Sequence, residues 1–186
     1  MIDLEKLIKE FLNYSVNENV ELYNEFSLQH ELGIFLRNNI KGYKIQFEKN
    51  ISFFGIDDKL IKKEIDIVIF TPDMKEKYAI ELKFPCNGQY PEQMYSFVKD
   101  IKFIEELKGE GFSKVFTLTL VNDKKFYKGK TKQGIYSYFR NKETLSGKIY
   151  KPTGIYKNIK FINIEGTYKI DFKKLDNNFS FYIVQI

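Results

Sequence analysis

The chain has one cysteine and one histidine in 186 residues, and no apolar run nears the roughly 18 residues of a membrane-spanning helix. A single Cys86 excludes a disulfide framework and fits a reducing compartment. A single His30 excludes a metal centre built from several imidazoles, and His30 reads as an ordinary helix residue. The N-terminus has no basic segment leading into an apolar stretch, so no secretory signal and no membrane association are expected. The expected location is cytoplasmic. Alanine is scarce while Lys, Ile, Asn and Phe abound, as AT-rich coding imposes, and this discounts the bare lysine count.

With 43% apolar and 30% charged residues, the chain has enough core-forming side chains for a globular domain. Its length fits one domain over residues 1–186. The net charge of +5 is compatible with a polyanionic partner.

Leu4, Leu7, Ile8, Phe11 and Leu12 recur at helical spacing, so Ile2 to Leu12 reads as an amphipathic helix before a polar break at Asn13–Asn19. A second helix is expected from about Val20 or Asn24 to Ile40. Tyr43 to Phe54 alternates as a strand, and Gly55 to Lys63 reads as a turn with two aspartates. Beyond a break at Pro85-Cys86-Asn87-Gly88, Pro91 suits a helix start. Met94, Phe97, Val98, Ile101, Ile104 and Leu107 then form an apolar stripe, with Lys99, Asp100, Lys102, Glu105 and Glu106 placed outside and Gly109 and Gly111 as the stop. Lys114 to Val121 is a further strand, parallel to its predecessor if that helix is a crossover.

The most informative stretch is Glu64 to Lys83. Two β-branched and aromatic runs, Glu64–Phe70 and Tyr78–Pro85, flank a polar, proline-containing turn and read as a hairpin. Period-2 geometry puts Ile65, Ile67 and Ile69 on one face, with Ile80, Leu82 and Phe84 on the matching face of the second strand. Glu64, Asp66 and Val68 share the opposite face of the first strand; Ala79, Glu81 and Lys83 share that of the second. Ionisable groups are thus confined to the middle of an apolar hairpin. Asp66 and Glu81 would repel each other there unless a cation lay between them, and hard carboxylate oxygens favour Mg²⁺ or Mn²⁺.

Asp66 followed by Glu81-Leu82-Lys83 resembles the signature of the PD-(D/E)xK nuclease superfamily, the restriction-endonuclease-like fold. The resemblance covers about residues 24–121. It implies an α/β protein with an α-β-β-β-α-β core, a mixed central sheet flanked by helices, and C-terminal hairpin and strand additions. It further implies that Asp66 and Glu81 bind Mg²⁺ or Mn²⁺ with the Leu82 carbonyl, and that Lys83 assists the attacking water. The helix before the first core strand often adds a carboxylate in this superfamily; Glu31 is the first candidate here and Glu25 the second. Gln93, in Gln93-Met94-Tyr95-Ser96-Phe97, is similar to the Gln-x-x-x-Tyr element of the RecB-like branch, with Phe97 in place of the tyrosine, and is a possible accessory residue. A lone histidine rules out an HNH-type nuclease. Gly134-Ile135-Tyr136 and Gly154-Ile155-Tyr156 have no Tyr-Ile-Gly partner, so a GIY-YIG reading is rejected.

Asn122 to Lys160 concentrates eleven Lys or Arg residues against Asp123 and Glu143 alone, interleaved with aromatics. Lys124, Lys125, Lys128, Lys130, Lys132 and Arg140 are the candidate contacts to a nucleic-acid backbone. Lys157–Ile164 and Thr167–Phe172 read as a hairpin turning at Glu165-Gly166, followed by a last strand at Phe179–Ile186. The expected function is Mg²⁺-dependent endonucleolytic hydrolysis, with DNA favoured over RNA and a homodimer left open because both strands of a duplex would need cutting. The alternative is a catalytically silent nucleic-acid-binding module, or a subunit of a defence or repair complex, on the same fold.

Overall fold

Six strands pair into one mixed sheet in the computed structural model, which describes residues 2–57, 59–86, 88–176 and 178–186. In spatial order they are β1 (Lys44–Asn50), β2 (Glu64–Phe70), β3 (Lys77–Lys83), β4 (Lys114–Val121), β8 (Ser180–Gln185) and β7 (Lys173–Lys174). Neighbours are antiparallel except β3 and β4, which run parallel. That parallel pair requires a crossover, supplied by the helix α3 (Tyr90–Gly109).

Helices α1 (Leu4–Asn17) and α2 (Glu25–Asn39) cover one face, packing Ile8, Leu28, Leu32 and Leu36 against Ile67, Ile69, Ile80 and Leu82. On the other face α3, the short α4 (Ile135–Arg140) and a two-stranded sheet of β5 (Leu145–Tyr150) and β6 (Phe161–Tyr168) enclose Val68, Ala79 and Val115. The chain is thus α/β with a mixed six-stranded sheet flanked by helices. No helix among the described residues is long and apolar enough to cross a membrane.

Several local expectations are corrected. Helix α1 continues through the expected break to Asn17, because Tyr14 rests on Phe35 and the buried Ser15 hydroxyl donates to the Leu12 carbonyl at 2.8 Å. The strand expected to reach Phe54 stops at Asn50, whose side chain accepts from Ser52 N and starts a 3-10 turn, Ile51–Phe54, closed by Gly55 at φ 75°. Ile65 packs in a different cluster from Ile67 and Ile69. It joins the cluster that contains Ile51, at a level where β2 pairs with β1 and no longer with β3. The turn segments at 55–63 and 85–88 contain Asp58 and Asn87, which lie outside the described residues.

Glu165-Gly166 is not a hairpin turn. β6 runs straight through it and pairs with β5, not with Thr167–Phe172. The Glu105 carboxylate of α3 accepts from Glu165 N, Gly166 N and the Tyr168 hydroxyl, so it satisfies backbone donors that a turn would otherwise have claimed. Glycine serves another need here: a Cβ at Gly166 would lie 2.3 Å from the Tyr168 hydroxyl.

Candidate active site

The β2–β3 ladder ends at Ile67 opposite Ile80. One step further on, Asp66 and Glu81 face each other and their side chains take over the backbone. Asp66 Oδ2 accepts from Leu82 N at 2.7 Å, and Glu81 Oε1 accepts from Asp66 N at 3.2 Å. The carboxylates therefore wedge the strands apart while satisfying the amides that the missing ladder would have paired. β1 yields at the same level: Glu48 turns into the left-handed region at φ 46°, between the pairs Phe47–Ile67 and Lys49–Ile65. The Asp66 carbonyl accepts from Gln29 Nε2 of α2 at 2.8 Å instead.

Four more charged groups join the network around the pair. The Lys62 ammonium, from the segment entering β2, hydrogen-bonds Glu81 Oε2 and lies 3.1 Å from Asp100 Oδ1. Lys83 Nζ lies 3.1 Å from Glu25 Oε1, 3.0 Å from the Leu82 carbonyl oxygen and 3.7 Å from Asp100 Oδ2. Glu25 Oε2 also accepts from Phe84 N at 3.1 Å. Glu25 is the first residue of α2, set by an Asn24–Ser27 capping box.

Glu81 and Asp100 are 1% and 3% exposed, and burial dominates the electrostatics. It pushes Asp66 up to about 6, with Lys62 and the Leu82 amide opposing. Burial and the Asp66 charge hold Glu81 well above the usual carboxylate range. Burial also raises Asp100, against the pull of Lys83 and Lys62. Burial alone would lower the two lysines, but Asp100 with Glu81 outweighs it at Lys62, and Asp100 with Glu25 at Lys83. Both remain ammonium ions, above the ordinary lysine range.

This network sets four carboxylates against two ammonium groups. When all are ionised, two negative charges are uncompensated, the charge of one divalent cation. Asp100 Oδ2 is buried without a hydrogen-bond donor. The donor set is all oxygen, which suits Mg²⁺ or Mn²⁺. As they stand, no three carboxylate, imidazole or thiolate groups among the described residues converge tightly enough to hold a metal ion. Lys62 holds Glu81 Oε2 in this arrangement. In charge and donor chemistry, though not in their present arrangement, the residues suit a divalent ion.

Of the helix carboxylates, Glu25 reaches the site, whereas Glu31 lines a separate hollow on α2 with Tyr23, Phe26 and His30. Glu25 continues the line of Leu28, Leu32 and Leu36, and Glu31 falls to one side of it. Asp100 corrects the sequence reading that placed it outside. Helix α3 is covered by the main sheet on one side and β6 on the other, and this also encloses Lys102 and Glu105. The sequence held a signal for this in Phe103, an aromatic off the apolar stripe that is fully buried. Lys62 and Gln29 had no such signal.

Gln93 lies about two turns before Asp100 on the same face of α3. Lys124, Lys125, Lys128, Lys130 and Lys132 are exposed. Arg140 is tied down instead: its guanidinium donates to the Lys125 and Thr131 carbonyls and stacks on Tyr136. An open groove beside Asp66 is lined by Lys62, Lys63, Lys99, Glu48 and Glu64.

Comparison with protein-family models, with curated proteins and with solved structures finds no match for this chain.

Proposed function

We propose that the protein is a divalent-metal-dependent nuclease of the PD-(D/E)xK kind, acting on DNA. One observation carries the reading. Asp66 and Glu81 meet where β2 and β3 part and are linked to Lys83 through Lys62 and Asp100, in a network that, with every carboxylate ionised, carries two negative charges in excess, the charge of one divalent ion. The strand order β1-β2-β3-β4, with α2 before β1 and the α3 crossover before β4, is compatible with the α-β-β-β-α-β core of that superfamily.

Asp66 and Glu81 would hold the ion, while the Leu82 carbonyl, the third expected ligand, accepts from Lys83 Nζ at 3.0 Å. When bound, such an ion supplies Lewis-acid activation of a phosphodiester and of water. The chain's own groups do the rest. Lys83, held as an ammonium by Asp100 and Glu25, is placed to donate hydrogen bonds to the attacking or phosphate oxygens. Glu25 fixes Lys83 and the Phe84 amide together. Gln29 holds the Asp66 backbone where the strands part. Lys63 and Lys99 line the groove through which a phosphate backbone would approach, and the exposed lysines 124–132 would extend that contact. Water adds to phosphorus, the bond to the leaving oxygen breaks, and a phosphate monoester and a hydroxyl result.

A second reading, a catalytically silent nucleic-acid-binding module, draws on the Lys62–Glu81 ion pair, which partly neutralises the site without metal. Cleavage of plasmid and single-stranded DNA with Mg²⁺ or Mn²⁺ separates the two. The nuclease reading expects products that vanish with EDTA and in Lys83→Ala. Salt-sensitive binding without products would favour the silent module.

A further inference from the structure

Glu81 is enclosed and both of its oxygens are engaged, Oε1 by the Asp66 amide and Oε2 by the Lys62 ammonium. The amide is part of the strand backbone and cannot leave without disrupting β2. Lys62 can leave. It precedes β2, its side chain is 18% exposed, and it lines the open groove beside Asp66. Its second partner, Asp100 Oδ1, stays within reach at 3.1 Å, and Asp100 Oδ2 has no hydrogen-bond donor of its own. Asp100 therefore has the acceptor capacity to keep both lysines after Glu81 is given up.

We propose that Lys62 is a resident counter-ion which a divalent cation must displace from Glu81, with Asp100 as the anchor that retains the displaced ammonium; this rests on the metal-dependent reading above. Lys62 then sets how tightly the site takes metal. It keeps the two wedging carboxylates from repelling each other while no metal is bound, and on displacement it stays paired with Asp100. Exchange of this kind weakens metal binding by the free energy of the ion pair it breaks. Asp100 becomes a positioning residue for both lysines.

The test is calorimetric titration of the purified protein with MnCl₂, alongside thermal melting in EDTA and in Mn²⁺. The variants are Lys62→Met, Lys62→Gln and Lys99→Met. Lys62→Gln retains a donor for Glu81 and guards against misfolding of the methionine variant. Lys99 is exposed and lines the same groove, so Lys99→Met measures the general effect of removing one positive charge there. Both Lys62 variants are expected to bind Mn²⁺ about tenfold more tightly or better, and Lys99→Met within about twofold of the parent. The Lys62 variants should also melt lower than the parent in EDTA and gain more from Mn²⁺. Binding to the Lys62 variants with no detectable binding to the parent would support the proposal further. If the parent binds Mn²⁺ and the Lys62 variants bind it equally or more weakly, the counter-ion role is wrong and the metal site stands. If neither the parent nor any Lys62 variant binds, both readings fall.

Discussion

Lys83 is held by two carboxylates and a carbonyl, so its removal has two separable consequences. Lys83→Ala should abolish DNA cleavage, and in EDTA it should cost about 1–3 kcal/mol of stability, because Asp100 and Glu25 lose a buried partner. Denaturant unfolding of both proteins checks the second number. Asp66 carries a pH signature. Its folded value, near 6, lies above the ordinary aspartate value of 3.8, so the fold binds its proton more tightly than the unfolded chain does. Its contribution to stability is therefore fully present below about pH 4 and is lost as pH rises through about 6. In EDTA, Asp66→Asn should flatten the pH dependence of unfolding across that window and raise stability at pH 7.5 by about 1–2 kcal/mol. An unchanged profile would show that burial does not tune this carboxylate. Proton competition also means that Mn²⁺ affinity should fall as pH drops below about 6, measurable by titration at several pH values. At this scale the sequence disclosed the residues whose spacing along one hairpin fixes their meeting, Asp66 and Glu81. It did not disclose Asp100, Lys62 or Gln29, which come from a helix interior, a turn and a helix face, and whose approach depends on packing that no local period encodes.

At the scale of elements, α2 delivers Glu25 and Gln29 to the site only if it sits close on β1. Gly33 permits this: a Cβ there would lie 2.3 Å from the Phe47 ring. Gly33→Ala should push helix and strand apart, cost about 1–3 kcal/mol in unfolding measurements, and lower cleavage more than the stability loss explains. Wild-type stability in that variant would mean that the Phe47 ring simply swings away. The choice between Glu25 and Glu31 was open to a stricter reading of the helix, since only Glu25 continues the Leu28–Leu32–Leu36 line. The hairpin expected at Glu165-Gly166 was not open to one. A glycine beside a polar residue is an ordinary turn signal, and the Glu105 carboxylate that holds β6 straight comes from a distant helix.

For the whole molecule, the α/β architecture with a mixed sheet was legible because strand runs and the crossover helix alternate along the chain with clear periods. The attachment of β5 and β6 over α3 was not, since their pairing spans a long connection. Charge is also a property of this scale. The exposed lysines between 124 and 132 should contribute to DNA binding without reading sequence, whereas Arg140 serves the local fold. Replacing Lys124, Lys125 and Lys128 with glutamine should weaken binding to unrelated sequences alike, and should reduce the slope of log affinity against log salt by up to about 2–3. Fluorescence anisotropy across a salt series measures it, and an unchanged slope would move the nucleic-acid surface elsewhere. The central claim is metal-dependent cleavage at the Asp66–Glu81–Lys83 site. Its most direct test is incubation of the purified protein with plasmid DNA and Mg²⁺ or Mn²⁺, in parallel with EDTA and with Lys83→Ala. The account predicts nicked or linear products in the first reaction and intact plasmid in both controls. Intact plasmid and intact single strands in every reaction, or cleavage that survives in EDTA or in Lys83→Ala, would contradict it.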